Sequence, residues 1–164
     1  MKTLWTPWRM EYIKSKASNK DCFFCAAPEL AHSAKDLILY RDRLLVVLIN
    51  RFPYANGHLL VAPARHLADI CELNAEESTA LATMLPRCAT ILRRHLQPDG
   101  FNIGLNLGEV AGAGVASHLH WHIVPRWHGD HNYRTVLAEV RTIPEHIDNT
   151  FAKLLPDFCL SEHP

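Results

Sequence analysis

Three histidines stand at alternate positions in Ser117-His118-Leu119-His120-Trp121-His122-Ile123-Val124. A β-strand turns successive side chains to opposite faces. The spacing therefore predicts His118, His120 and His122 on one face and Leu119, Trp121 and Ile123 on the other. The second face suits an apolar core; the first suits imidazole chemistry. Neutral imidazole is a nucleophile, a general base and a metal ligand near pH 7. Three of them on one strand can serve one substrate group, hold one metal, or divide between these tasks.

Other residues capable of chemistry surround this run. The segment from Asn106 to Ser117 contains Gly108, Gly112 and Gly114, and glycine lets consecutive backbone N–H groups turn toward an anion. It reads as a phosphate cradle, with Asn106 adding an amide donor, or as a surface turn. Cys22-Phe23-Phe24-Cys25 has the spacing of half a zinc site, or of two buried cysteines with aromatic neighbours. His66 and His118 are placed in sequence to complete a Cys2His2 set. Such a closed site has no open position for catalysis, so His118 would be structural, leaving His120 and His122 for the reaction. His58, in Asn56-Gly57-His58, starts a strand and Asn50 ends one; both also read as plain turn residues.

The elements that must position these groups follow from periodicity. Strands are expected at Leu37–Tyr40, Leu44–Ile49, His58–Ala62, Phe101–Leu107 and His118–Val124, the first two joined as a hairpin across Arg41-Asp42-Arg43. One long helix is expected over 75–96, with Asn74 as its cap and Glu77 as the box partner. Leu81, Met84, Leu85, Cys88, Ile91, Leu92 and Leu96 form its apolar stripe. Pro86, inside this pattern, should remove the hydrogen bond to the Ala82 carbonyl and kink the helix. A second helix is expected from Pro144, with Ile147, Phe151, Leu154 and Leu155 on one side. Strand pairs around one long helix predict an α+β fold with an antiparallel sheet.

The whole chain sets bounds. Its 164 residues, 48% hydrophobic and 21% charged, suit a single globular domain over 1–164. Lys plus Arg equals Asp plus Glu at 17 each, so the basic stripe of a nucleic-acid binder is missing. No apolar run reaches the length of a membrane span, and the first residues lack the apolar core of a signal peptide. Five cysteines, an odd number, suggest reduced thiols in the cytoplasm instead of a disulfide framework.

These residues match a family. His118-x-His120-x-His122 followed by apolar positions resembles the signature of the histidine triad (HIT) superfamily. The order Asn50, Gly57-His58, Pro63, His66, Asn106-x-Gly108, triad, Pro125-Arg126 resembles it as well. Trp5-Thr6-Pro7-Trp8-Arg9, Cys22-x-x-Cys25, Pro53-Tyr54-x-Asn56-Gly57-His58, Ala111-Gly112-Ala113-Gly114 and Ile143-Pro144-Glu145 extend the likeness to the bacterial branch related to diadenosine tetraphosphate phosphorylases and ATP adenylyltransferases.

The resemblance implies a HIT-like fold: a five-stranded antiparallel sheet, one long helix, a C-terminal helix, N- and C-terminal extensions, and a homodimer with a continuous sheet. It implies an enzyme acting on the α-phosphate of adenosine nucleotides, above all diadenosine polyphosphates, through a nucleotidyl-histidine. His120 would be the nucleophile, His122 a donor to the phosphate and His58 a further active-site histidine. Asn50 would bind ribose; Asn106, Gly108, Gly112, Gly114 and Ser117 would surround the phosphate. A structural zinc would sit on Cys22, Cys25, His66 and His118, with no organic cofactor. The chain departs from the family where many members carry Gln and a nearby hydroxyl; here stand Gly114, Val115 and Ala116. Competing functions are a nucleoside phosphoramidate hydrolase, a zinc-stabilised nucleotide-binding module with little turnover, and a metallohydrolase with zinc on all three triad histidines.

Overall fold

The computed structural model describes residues 22–25, 34–130 and 145–159. Strands β1 (Ile38–Arg41), β2 (Leu45–Ile49) and β3 (Leu59–Pro63) precede helix α1 (Ala75–Leu96); β4 (Gly100–Leu105), β5 (Trp121–Arg126) and helix α2 (Ile147–Cys159) follow. The five strands form one sheet in the order β1-β2-β3-β5-β4, and every pairing is antiparallel. This is the α+β architecture the sequence predicts.

The β1–β2 hairpin turns on Asp42. One carboxylate oxygen accepts the N–H groups of Leu44 and Leu45 at 2.8 and 2.7 Å, and the other accepts the Tyr40 hydroxyl at 2.7 Å. An aspartate that binds the backbone just ahead of it is a turn former in its own right. Helix α1 spans the expected residues. Asn74 accepts the Glu77 N–H at 2.9 Å, and Glu77 accepts the Asn74 N–H at 3.0 Å, which satisfies two orphan donors of the first turn. Glu77 is buried because Arg65 grips both its oxygens at 2.8 Å. The helix runs on through Pro86, which lies on its exposed side. Helix α2 starts at Ile147, later than the expected Pro144, which lies outside the described residues.

Alternation along β2 and β3 divides the core. Leu45, Val47, Ile49, Leu59 and Val61 face both helices, against Leu81, Met84, Leu92, Phe151 and Leu154 among others. Val46, Leu48, Leu60 and Ala62 face the other way and pack with Ile38 and Phe24. Both faces of these central strands are therefore covered, which accounts for their nearly unbroken apolar runs.

One strand differs from expectation. The spacing of the histidines suggests a strand from His118, yet β5 starts at Trp121. The ladder with β3 ends at the pair Val61 and Trp121. In the same register the next bonded pair would set Leu119 against Pro63. Proline has no N–H to give, the Leu119 N–H goes to the Leu67 carbonyl at 2.7 Å, and the Pro63 carbonyl accepts His118 Nε2 at 2.9 Å. The strand thus opens at its start, and only His122 lies in regular ladder. β4 likewise stops at Leu105, two residues short of the expected end.

Candidate active site

The opened start of β5 brings the histidines together on the face away from the helices. His122 pairs with Leu60, whose side chain is on that face. The rings of His120 and His122 meet edge to face with centroids 5.0 Å apart. His118, His120 and His58 are all buried.

Hydrogen bonds fix the proton on each ring. His120 Nδ1 lies 2.8 Å from the His118 carbonyl. A carbonyl only accepts, so Nδ1 carries the hydrogen and the ring lone pair is on Nε2. His58 Nδ1 accepts the Tyr54 N–H at 3.1 Å and faces the Asn50 amide nitrogen at 3.3 Å. Its proton is therefore on Nε2, which donates to His122 Nδ1 at 2.9 Å. That bond assigns the His122 proton to Nε2. His122 Nε2 is the sole buried side-chain polar atom among the described residues with no hydrogen-bond partner. A buried donor without an acceptor is costly, and one at a cluster of histidines is suited to an anionic oxygen of a ligand.

Burial, with a smaller contribution from the charge of His120, pushes the His122 pKa down to about 4. The ring is therefore neutral at pH 7, and Nε2–H acts as a neutral donor. The linkage has a definite sign. A pKa lowered by folding gives full stability above the ordinary value of 6.5, and stability falls as pH drops from there toward 4. His122→Gln should flatten that decline in urea unfolding curves measured across the window. An unchanged slope would show that His122 does not titrate as described.

The four expected metal ligands converge. Cys22 and Cys25 close a tight turn in which the Cys25 N–H meets the Cys22 carbonyl at 2.9 Å. Arg41 ties the turn to β1 by donating to the Phe24 carbonyl at 2.8 Å. The ligand atoms of Cys22, Cys25, His66 and His118 all lie within 4.8 Å of one another. Cys22 Sγ and His118 Nδ1 are 3.3 Å apart, Cys25 Sγ and His66 Nδ1 3.2 Å, and the two Nδ1 atoms 3.2 Å. Around a tetrahedral zinc, ligand atoms stand roughly 3.3–3.8 Å apart, as the usual zinc–sulfur and zinc–nitrogen lengths require. The set fits. His118 Nε2–H is committed to the Pro63 carbonyl, which aims the Nδ1 lone pair at the cluster, a common orientation for ligating histidines. Burial first, then the bond to Cys22, raises the Cys25 thiol to about 11; a cation here would favour the thiolate instead.

Other expected residues have more local partners. Asn50 Oδ1 accepts the Phe52 N–H at 3.0 Å, and its Nδ2 faces His58, so part of the side chain's capacity is spent inside the protein. The Asn106 amide donates to the Gly112 carbonyl at 3.4 Å and braces the loop. Gly108 and Gly112 have φ of 77° and 88°, a region that favours glycine. The N–H groups of Gly112 and Ala113 close onto the Glu109 and Gly108 carbonyls, so these two donors serve the loop itself. Gly114 continues through turns into the triad, and Ser117 is exposed. Two neighbours carry no chemical signal in the sequence. Phe24, fully buried, lies 4.8 Å from the His118 ring and 5.3 Å from the His120 ring. Tyr54, half exposed, lies tilted against His58 at 4.7 Å and stacks on His122 at 5.9 Å.

A triad on the face of this sheet away from the helices, with one histidine shared with a Cys2His set, defines a class, and sequence comparison agrees. The HIT domain family matches residues 31–129, and the chain belongs to that family. A protein of Mycobacterium tuberculosis named AP-4-A phosphorylase is 34% identical over 157 residues, spanning 92% of this chain and 80% of that one. A bis(5'-adenosyl)-triphosphatase of Dictyostelium discoideum is 34% identical over 89 residues, 54% of this chain and 59% of its own. A Zn-bound histidine triad family protein from Mycobacterium smegmatis has the same fold, with a TM-score of 0.64 at 28% identity, covering 84% of this chain and 92% of that structure.

Proposed function

We propose that the protein transfers a nucleotidyl group from the α-phosphate of an adenosine nucleotide, with His120 as the covalent nucleophile. The observation that carries this reading is the complementary pair of ring nitrogens: His120 has its lone pair on Nε2, and His122 has an unsatisfied Nε2–H beside it. His120 Nε2 attacks the α-phosphorus, a nitrogen–phosphorus bond forms and the bond to the leaving oxygen breaks. The His118 carbonyl keeps its bond to Nδ1–H and so favours the cationic ring that results. His122 donates to a phosphate oxygen where negative charge collects. His58 holds His122 in the required tautomer, and Asn50 and the Tyr54 N–H hold His58. The acceptor, water or phosphate, then attacks phosphorus: a phosphorus–oxygen bond forms, the nitrogen–phosphorus bond breaks, and the electron pair returns to His120 Nε2. Splitting one displacement into two is the benefit of covalent catalysis.

Diadenosine polyphosphates are the preferred substrates in this reading. Support comes from the activities named for the M. tuberculosis and D. discoideum relatives. A polyphosphate leaves as a stable anion and requires little protonation, which suits a site whose donor is a neutral imidazole. Incubation with diadenosine tetraphosphate, with and without inorganic phosphate, distinguishes the acceptors. ADP plus ATP signals phosphorolysis, and AMP plus ATP signals hydrolysis. Failure to turn over any diadenosine polyphosphate, with turnover of nucleoside phosphoramidates, would move the substrate to that class.

Cys22, Cys25, His66 and His118 would hold one zinc as a closed structural crosslink. The separate cluster argues against zinc on all three triad histidines. A homodimer is part of the same reading. β4 is an edge strand with Asn102, Ile103 and Gly104 exposed, and a twofold-related copy could extend the sheet there. Light scattering at monomer mass at micromolar concentration would count against it. Among the described residues no helix is long and apolar enough to cross a membrane; ligating thiols need a reducing compartment, which favours the cytoplasm.

A further inference from the structure

The turn that carries His58 is gripped from two sides. Gly57 has φ 71° and lies so close to α1 that an added Cβ would fall 2.3 Å from Leu96 Cδ1 and 3.1 Å from Leu92 Cδ2. On the other side Asn56 reaches α2. The Thr150 hydroxyl stands 3.0 Å from the Asn56 carbonyl oxygen and 3.0 Å from Glu145 Oε2. The Asn56 amide donates to the same Glu145 oxygen at 3.5 Å, and Lys153 holds the other oxygen at 2.8 Å. Thr150 is 1% exposed. Asn56 and Glu145 are half-buried and Lys153 is exposed, so the cluster is anchored at its buried member, Thr150, and joins the turn to the helix there. Glu145 and Thr150 lie beyond residue 129, where the family match ends.

We infer that Thr150, with Glu145, is a positioning residue for the reaction: through Asn56 it fixes the turn that holds His58 against His122. Thr150 then acts on the reaction from the C-terminal helix without touching substrate. The argument is one of stiffness. His58 must keep its Nε2 at 2.9 Å from His122 Nδ1 to hold the His122 proton on the side facing the substrate. Asn56 is two residues from His58, with only Gly57, the most permissive residue, between them. Packing against Leu92 and Leu96 limits the approach of the turn to α1. The contacts of Asn56 with Thr150 and with the Glu145 carboxylate that Thr150 also meets limit its movement in the other direction.

The inference rests on the proposed role of His58, and a double-mutant cycle separates the two. Thr150→Val keeps the side-chain shape and removes the hydroxyl. It should lower kcat about tenfold with KM within about twofold, the pattern of a lost transition-state interaction, and Thr150→Ser should restore kcat. In a His58→Ala background the same change should lower kcat by less than about twofold, because coupled residues are not additive. Phe158→Leu, about two turns further along the same helix, should lower the melting temperature and leave kcat unchanged. Equal losses in both backgrounds, or no loss on Thr150→Val, overturn the inference. If His58→Ala loses activity and Thr150→Val does not, the role of His58 survives and the tether alone is wrong. If His58→Ala loses nothing, both fall.

Discussion

His120→Ala is expected to abolish turnover of diadenosine polyphosphates, by on the order of 10⁴-fold or more, as removal of a covalent nucleophile does elsewhere. Nucleotide binding should persist, because the unsatisfied His122 Nε2–H is untouched by the change. His120 is buried against Phe24 and His122, so truncation leaves a small cavity, and some stability loss is expected with it. Two observables keep these effects apart: affinity for a non-hydrolysable dinucleotide by calorimetry, and the melting temperature. Retained affinity with no turnover supports the nucleophile. Near-normal turnover would remove His120 from the mechanism.

The second large effect concerns Cys22, Cys25, His66 and His118. Protein purified without chelator should contain one zinc per chain, and Cys22→Ser should lose it. Folding energy drawn from a closed Cys2His2 site is large, and loss of several kcal/mol in a chain of this size lowers the melting temperature by roughly 10 °C or more. Activity should fall as well, for a structural reason. His118 contributes its imidazole to the cluster and its carbonyl to His120 Nδ1, and Phe24, within the cysteine turn, packs on both rings. Displacement of the turn should therefore shift His120. The two variants differ: His118→Ala loses metal and stability together, whereas His120→Ala keeps the metal. Loss of metal in both would favour a centre built on all three triad histidines. Metal-free protein with an unchanged melting temperature would refute the structural zinc.

Much of this arrangement is legible in the sequence because single residues fix it. Asn74 and Glu77 state the start of α1 through their reciprocal bonds, and the apolar stripe from Leu81 to Leu96 states its buried face. The pairing of Cys22 and Cys25 with His66 and His118 is legible because ligand types and spacing are restrictive. The opening of β5 is less so. It depends on Pro63 in a different strand and on the Leu67 carbonyl, and a pattern within one segment does not carry the partner's missing N–H. The proton positions on His58, His120 and His122 are also non-local, since each is set by a backbone group or a second ring. Asn56 reads as a turn residue; its link to Thr150 joins positions 94 apart, and only the packing of α2 on the helical face of the core makes it visible.

The proposed reaction depends on a covalent bond at His120. Protein mixed with diadenosine tetraphosphate and quenched in base, where a nitrogen–phosphorus bond survives, should show by intact-mass measurement one added adenylyl group per active site. Peptide mapping should place it on His120, with no adduct in His120→Ala. Steady turnover with no adduct on any histidine at millisecond quench times, or an adduct that persists in His120→Ala, would contradict the mechanism.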